Sequence, residues 1–293
     1  MAYIGKSPSV KRIRHNPQST APSNPTEGDV YYDDGSTNTE GLYVYKNAAW
    51  ELLAAASNLS VTTQSTTYTA TTNDDVILVE STSAWTLTLY TAVGNSGKKL
   101  VIKKITADYN TVTIDGNASE TIDSQATIKL IAPFDEITLI SDGTNWIIAS
   151  QDLEPITVRA YRNASGQTIS NNTETRVDFN GEQFDDFAAW DASTNFRFNP
   201  PRDGKYFVQM SVAFPSPNDG TRLTALIRKN GSIHNRVNTV SAGPTDTGIV
   251  CFAVVDLTTS DYIDGAVVQN SGGNEDITDG INDTFIEIVE IRK

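Results

Sequence analysis

Few residues in this chain have the types and spacing that catalysis requires. The only histidines are His15 and His234, and neither belongs to the spacing of a metal site or a catalytic triad. Cys251 lies within the apolar run 249–255, where a buried structural thiol is the commoner case. Paired carboxylates could cleave a polysaccharide, but no spacing among the 36 acidic residues selects such a pair. We therefore expect that the protein is not an enzyme.

An acidic loop near the C-terminus suggests calcium. Residues 275–283 place Asp276, Asp279 and Asp283 close together around a glycine, and hard oxygen ligands suit Ca²⁺. The loop does not match the twelve-residue helix-loop-helix pattern, and a solvated acidic turn is the alternative. Calcium is the only cofactor that the sequence suggests.

Binding residues are expected on the loops of the C-terminal half. Aromatic side chains with amides nearby suit sugars and protein epitopes alike. The candidates include the segment 214–218. Trp190 fits the core equally well, and a rigid turn is the alternative for the loop 215–220. The candidate receptor-contact residues are Trp190, Phe214, His234, Asn235 and Arg236.

Composition favours an all-β chain. Thr, Ser, Asn, Asp, Val and Ile are abundant, and this mixture is typical of strands and turns. A hydrophobic fraction of 38% is low for a self-sufficient globule, which indicates strands that are buried between subunits or polar on one face. The net charge of −14 argues against nucleic acid as a partner. No apolar run approaches membrane-spanning length, and the start is no signal peptide, so we expect folding in a cytoplasm.

The chain divides into four expected segments: an extended arm (1–27), a small β-hairpin module (28–57), a β-rich shaft (58–150) and a head (151–293). The arm is basic ahead of its first carboxylate, and its prolines prevent it from joining a sheet interior. It is either a disordered tail or an anchor that lies in an acidic groove of a larger assembly. The expected docking residues are Tyr3, Ile4, Lys6, Lys11, Arg12 and Arg14.

Two hairpins in which tryptophan leads the return strand mark the ends of modules. Residues 43–45 and 50–52 flank one four-residue turn, and residues 139–141 and 146–148 flank another. Between them, strict alternation in residues 86–89 and 111–114 predicts strands with one apolar face. In the head, residues 196–198 and 206–209 are predicted to form a hairpin across Pro200-Pro201 and Asp203-Gly204.

Two family resemblances extend these predictions. Residues 196–209 together with 225–231 resemble the globular complement-head and tumour-necrosis-factor-like jelly roll. Residues 104–108 and 141–146 resemble β modules of bacteriophage tail fibres, and residues 2–5, 25–29 and 47–50 are similar to segments near fibre N-termini. One departure is that residues 279–282 stand where the complement-type family has an aromatic and glycine pair.

These resemblances imply a homotrimeric virion appendage with a two-sheet jelly-roll head. The arm would dock on the phage tail or an adaptor protein, and the head would bind polysaccharide or protein of the host surface. The expected location is the virion, after assembly in the host cytoplasm. The alternatives are a head fibre or decoration protein that binds no receptor and, third, a polysaccharide depolymerase.

Overall fold

The computed structural model describes residues 18–54 and 59–292, and every regular element in them is a β-strand. The all-β prediction is confirmed. Within this described part, no helix is present that could cross a membrane. The chain separates into two compact units, Met1–Leu59 and Ser60–Lys293. The docking residues predicted in the arm lie outside the described residues.

The first unit contains a three-stranded antiparallel sheet. Tyr45 lies opposite Trp50, as predicted for the first hairpin. Asn47 and Ala48 form its turn with φ of 54° and 63°, the left-handed pair that a tight hairpin requires. The rings of Tyr31 and Trp50 pack edge to face with centroids 4.7 Å apart, which anchors one face of this sheet. The strands are β1 (Val30–Asp33), β2 (Gly41–Lys46) and β3 (Ala49–Ala54), in that order.

The second unit begins with a two-sheet coil. Successive strands alternate between its sheets, so β4, β6 and β8 pair in parallel on one side and β5, β7 and β9 on the other. Antiparallel strands then close one end. The strands are β4 (Val61–Gln64), β5 (Tyr68–Thr69), β6 (Val76–Val79), β7 (Trp85–Thr88), β8 (Lys99–Lys104), β9 (Val112–Asp115), β10 (Thr127–Leu130), β11 (Glu136–Ser141) and β12 (Trp146–Asp152).

Alternation explains how this coil forms from short, Thr-rich strands. Ile77 and Ile102 lie opposite each other and are fully buried between the two sheets, while the residues beside them face outward. The second predicted hairpin is confirmed, since Ser141 pairs with Trp146. The Trp146 indole is fully buried and donates to the backbone carbonyl of Tyr90 at 3.3 Å, which ties the hairpin into the core.

The head is a sandwich of two antiparallel sheets, as predicted. One sheet has the order β16-β13-β25-β19-β22, and the other has β17-β18-β23-β20-β21. The strands are β13 (Thr157–Tyr161), β14 (Gln167–Ile169), β15 (Thr175–Arg176), β16 (Gly181–Phe184), β17 (Trp190–Asp191), β18 (Arg197–Phe198), β19 (Gly204–Phe214), β20 (Arg222–Lys229), β21 (Ser232–Val240), β22 (Thr247–Leu257), β23 (Ile263–Gln269), β24 (Glu275–Ile277) and β25 (Phe285–Ile291).

The aromatic hairpin predicted for residues 196–209 is wrong. Phe198 pairs with Ile263 in one sheet, whereas β19 pairs with β22 and β25 in the other. The Pro-Pro and Asp-Gly segment therefore crosses from sheet to sheet. The rings of Phe198 and Tyr206 still meet, edge to face at 5.3 Å, but they do so across the core of the sandwich.

A buried ion network joins the coil to the head within the second unit. Arg202, on the crossing segment, donates to Asp135 of the coil, to the Glu154 carbonyl and to Glu290 of β25. The side chains of Arg202, Asp135 and Glu290 are each at most 7% exposed. Asp135 also accepts from the backbone N–H groups of Ile131 and Glu154. This network fixes the coil against the head.

Candidate interaction surface

The edge strand β22 presents an apolar face to solvent. Alternation directs Cys251 and Val255 into the core and leaves Val250, Phe252 and Val254 exposed by 44%, 59% and 55%. Single exposed apolar residues are ordinary, but three in a row on one strand form a patch typical of an interaction site.

The apolar face extends across the sheet from β22. Phe207 on β19 lies opposite Val254 on one side and Val289 of β25 on the other, and both Phe207 and Val289 are half-buried. We call these five residues, Val250, Phe252, Val254, Phe207 and Val289, the head strip.

Charged pairs border the head strip. At one end Lys205 and Asp256 form an exposed ion pair of 2.6 Å, which adds little stability because both groups remain hydrated. On its other flank Arg159 pairs with Glu287 at 2.6 Å and lies 3.8 Å from the centre of the Phe285 ring. An apolar centre with a polar rim is the usual composition of a protein interface.

The second sheet caps the open edge of β22. Asn235 donates to the carbonyl of Phe252 at 2.6 Å, and Lys229 donates to that of Asp256 at 2.7 Å. A His234 ring nitrogen lies 3.4 Å from the Val254 carbonyl. These carbonyls would otherwise be available to a foreign strand. We call the side chains of Lys229, His234 and Asn235 the edge cap.

The edge cap changes the interpretation of three predicted receptor residues. His234, Asn235 and Arg236 were expected on a loop after the Asn230-Gly231 turn, but they lie within β21. The turn itself is confirmed, because Lys229 pairs with Ser232 across it. His234 and Asn235 contact the neighbouring sheet. Arg236 is exposed and makes no such contact among the described residues.

The two aromatic candidates lie in the core and not on the surface. Trp190 is 6% exposed, and its indole N–H donates to the Phe179 carbonyl at 3.0 Å. Phe214, at the end of β19, is fully buried. Alternation directs Phe214 inward together with Val212 and Met210, so the surface prediction is wrong for Phe214. Trp190 takes the core position that the sequence allowed equally.

The acidic residues of the calcium prediction are not gathered into a metal site within one chain. Among residues 18–54 and 59–292, no group of three or more Asp, Glu, His or Cys side chains is arranged to hold a metal ion. Asp276 lies in β24, where it accepts a hydrogen bond from the Thr168 hydroxyl at 2.6 Å. The Asp283 N–H donates to the Gly280 carbonyl at 3.2 Å within a separate turn. Although Asp276, Asp279 and Asp283 are close in sequence, the fold does not gather their carboxylates at one place.

One acidic pair in the head has perturbed titration. Burial raises the pKa of Asp185, and burial together with the nearby Asp185 charge raises the pKa of Glu182. A raised carboxyl pKa is what a general acid needs. However, both Asp185 oxygens accept backbone N–H groups, from Ala189 at 2.9 Å and Trp190 at 2.7 Å. This bonding positions the turn before β17.

The coil has two outer faces of different character. On the five-stranded sheet Val61, Val76 and Val101 lie in register as a valine ladder, with Val61 exposed and the other two half-buried. The four-stranded sheet instead presents threonines, with Thr86 opposite Thr113. The valine ladder is thus a second apolar surface on the same compact unit as the head strip.

No known protein-family model matches the chain, and no curated protein matches it by sequence. Several solved structures align with its C-terminal part. Eiger TNF from S. frugiperda is 17% identical with a TM-score of 0.34, covering 47% of this chain and 94% of that one. Murine APRIL at pH 5.0 is 13% identical with a TM-score of 0.39, covering 47% and 100%.

The globular domain of zebrafish complement 1qA aligns with the same share of this chain as the two structures above. It is 13% identical with a TM-score of 0.35, and the match covers 47% of this chain and 98% of that domain. The description of the head as a two-sheet sandwich therefore rests on its own strand order and register.

Proposed function

We propose that the protein is a homotrimeric, non-catalytic binding protein whose copies meet through the head strip. The observation that carries this proposal is the row of exposed Val250, Phe252 and Val254 on a strand whose edge is capped. The edge cap disfavours growth by strand addition, so the apolar face is what remains for a partner to cover. Burying a valine or phenylalanine side chain contributes about 1.5–3 kcal/mol.

A second copy of the chain is the partner we favour for this face. The valine ladder leaves a further apolar surface on the same unit, and a hydrophobic fraction of 38% is low for a chain that folds alone. Closed rotational symmetry covers such surfaces with identical chains without leading to open filaments.

We further propose that the trimer is a bacteriophage tail fibre located in the virion and assembled in the host cytoplasm. The order of motifs in the sequence supports this role. The basic arm would dock on the tail or on an adaptor protein, and the head would bind polysaccharide or protein of the host surface. Three heads held together would offset weak single contacts by avidity.

The oligomeric state tests whether the chain forms a trimer through the head strip. Val254→Glu should convert the trimer to monomers in light scattering, because a buried, unpaired carboxylate at a subunit contact is strongly unfavourable. Val240→Glu is the matched control, since Val240 is 63% exposed on the edge strand of the other sheet. A monomeric wild-type chain, or a trimer that tolerates Val254→Glu, would refute the proposed contact.

Attachment assays test the biological role. The purified full chain should bind susceptible cells and compete with phage adsorption, and cryo-microscopy should locate it on the tail. A chain found on the capsid that binds no cells would indicate the decoration protein instead. Release of new reducing ends from host polysaccharide would establish a depolymerase and contradict the non-catalytic assignment.

A further inference from the structure

A cleft of about 370 Å³ lies where the coil meets the head. Its volume is at the lower end of the range of small-molecule sites, about 300–1,000 Å³, which suits a ligand of one or two rings. The coil contributes residues of β10 and β12, and the head contributes the segment 202–204 and the end of β25. Because the buried Arg202 network fixes these parts against each other, the cleft is preformed.

The charged groups of the cleft are equal in number. Three cations, Lys129, Arg202 and Arg292, are matched by three carboxylates, Asp123, Asp203 and Glu290. Most are engaged within the protein. Lys129 donates to the Pro201 carbonyl at 2.9 Å, and Glu290 accepts from both arginines at 3.0 Å. An ionic ligand would meet as many like charges as opposite ones.

Uncharged side chains complete the lining. Gln125, Thr127 and Gln151 are exposed at the rim of the cleft. Ile128, Ile148 and Leu153 add apolar surface.

We propose that this cleft binds a neutral saccharide unit. A sugar hydroxyl both donates and accepts, which suits a lining of mixed donors and acceptors with no excess charge. The aliphatic C–H face of a sugar ring suits the isoleucine and leucine surface. No aromatic side chain lines the cleft within the described part of the chain, so single-site affinity should be in the millimolar range. This inference rests on the proposed function and places glycan recognition at the base of the head.

The test uses the full chain and free sugars. Saturation-transfer NMR with glucose, galactose, mannose and N-acetylglucosamine should give signals for at least one sugar, and glucuronate should give none. Thr127→Trp should fill the cleft and reduce the signal by roughly tenfold. Thr69→Trp is the matched control, because Thr69 occupies the same row of the same sheet, three strands and about 14 Å away.

The outcomes separate this inference from the proposed function. No signal from any neutral sugar, a signal from glucuronate alone, or equal signals from the two tryptophan variants would overturn the cleft assignment. If Thr127→Trp still binds cells like the wild type and no sugar binds, the adhesin proposal stands and the cleft inference falls. If sugars bind but the chain never binds cells, the cleft inference stands and the adhesin proposal falls.

Discussion

Arg202 and Glu290 form a buried ion pair, Nη2 to Oε2 at 3.0 Å, between the segment that enters β19 and the last strand of the head. The same guanidinium reaches Asp135 of the coil at 3.4 Å, so one side chain links both modules. Glu290 also accepts the Ile156 N–H at 3.0 Å, where the chain enters the head. The junction is therefore held by charges that water does not screen.

Removing the arginine from this junction should be costly. We expect Arg202→Leu to lower the free energy of unfolding by about 3–5 kcal/mol, because it leaves the buried Asp135 without its cation and Glu290 with Arg292 alone. Urea unfolding of the full chain measures this. Lys205→Leu removes a cation from the exposed pair with Asp256 and should change stability by less than about 1 kcal/mol. Equal effects of the two variants would show that the junction does not depend on Arg202.

Acid should weaken the coil through Asp108. Burial alone would raise the pKa of this carboxyl, but hydrogen bonds from Lys104, the Asn110 N–H and neighbouring hydroxyls hold it at about 2. Because the folded-state pKa lies below the ordinary 3.8, the ionised carboxylate stabilises the fold at pH values above 3.8. The contribution should vanish as pH falls from about 4 to about 2. Across this range the urea midpoint of unfolding should depend less on pH in Asp108→Asn than in the wild type. The control Asp115→Asn should keep the pH dependence of the wild type.

Loss of the edge cap should promote association of strands. Asn235→Leu leaves the Phe252 carbonyl without its donor and opens the edge of β22. We expect a loss of about 1 kcal/mol and faster aggregation on warming, because an uncapped edge accepts foreign strands. Arg236→Leu, the exposed neighbour on β21, is the control. Turbidity curves that coincide for both variants would show that Asn235 does not protect the edge of β22.

Gly116 should not tolerate a side chain. A Cβ there would lie 2.1 Å from the backbone oxygen of Glu120, so the turn after β9 must shift. We expect Gly116→Ala to cost about 1–3 kcal/mol, the usual range for overpacking. Gly273→Ala meets nothing within 4 Å and should be close to neutral. Thermal unfolding of the two variants gives the comparison, and equal melting temperatures would contradict it.

Local pattern predicted the strands and the hairpins with short turns, but not the pairing of strands across the longer segment 199–203. Residues such as Trp50 and Trp146 follow short turns, so their pairing is local and readable from spacing. Phe198 and Tyr206 are also close in sequence, yet they lie in different sheets, because alternation reports which face is buried and not which strand is adjacent.

The surface residues were harder to predict for the same reason. His234 and Asn235 are polar and follow a turn, which is typical of a binding loop, but their contacts are with β22 from another part of the chain. Phe214 fits a loop by its position before Pro215, whereas the period of the eleven-residue strand β19 directs it inward. Such long-range contacts leave no local signal in the sequence.

The parallel pairing in the coil makes the length of this part of the molecule adjustable. Val61, Val76 and Val101 are equivalent positions of successive turns, although the stretches of chain between them differ in length. Each turn touches only its neighbours and adds about 4.8 Å. Insertion or deletion of a whole turn would therefore change the reach of this part, while the hairpin that closes the coil and the head beyond it stay the same.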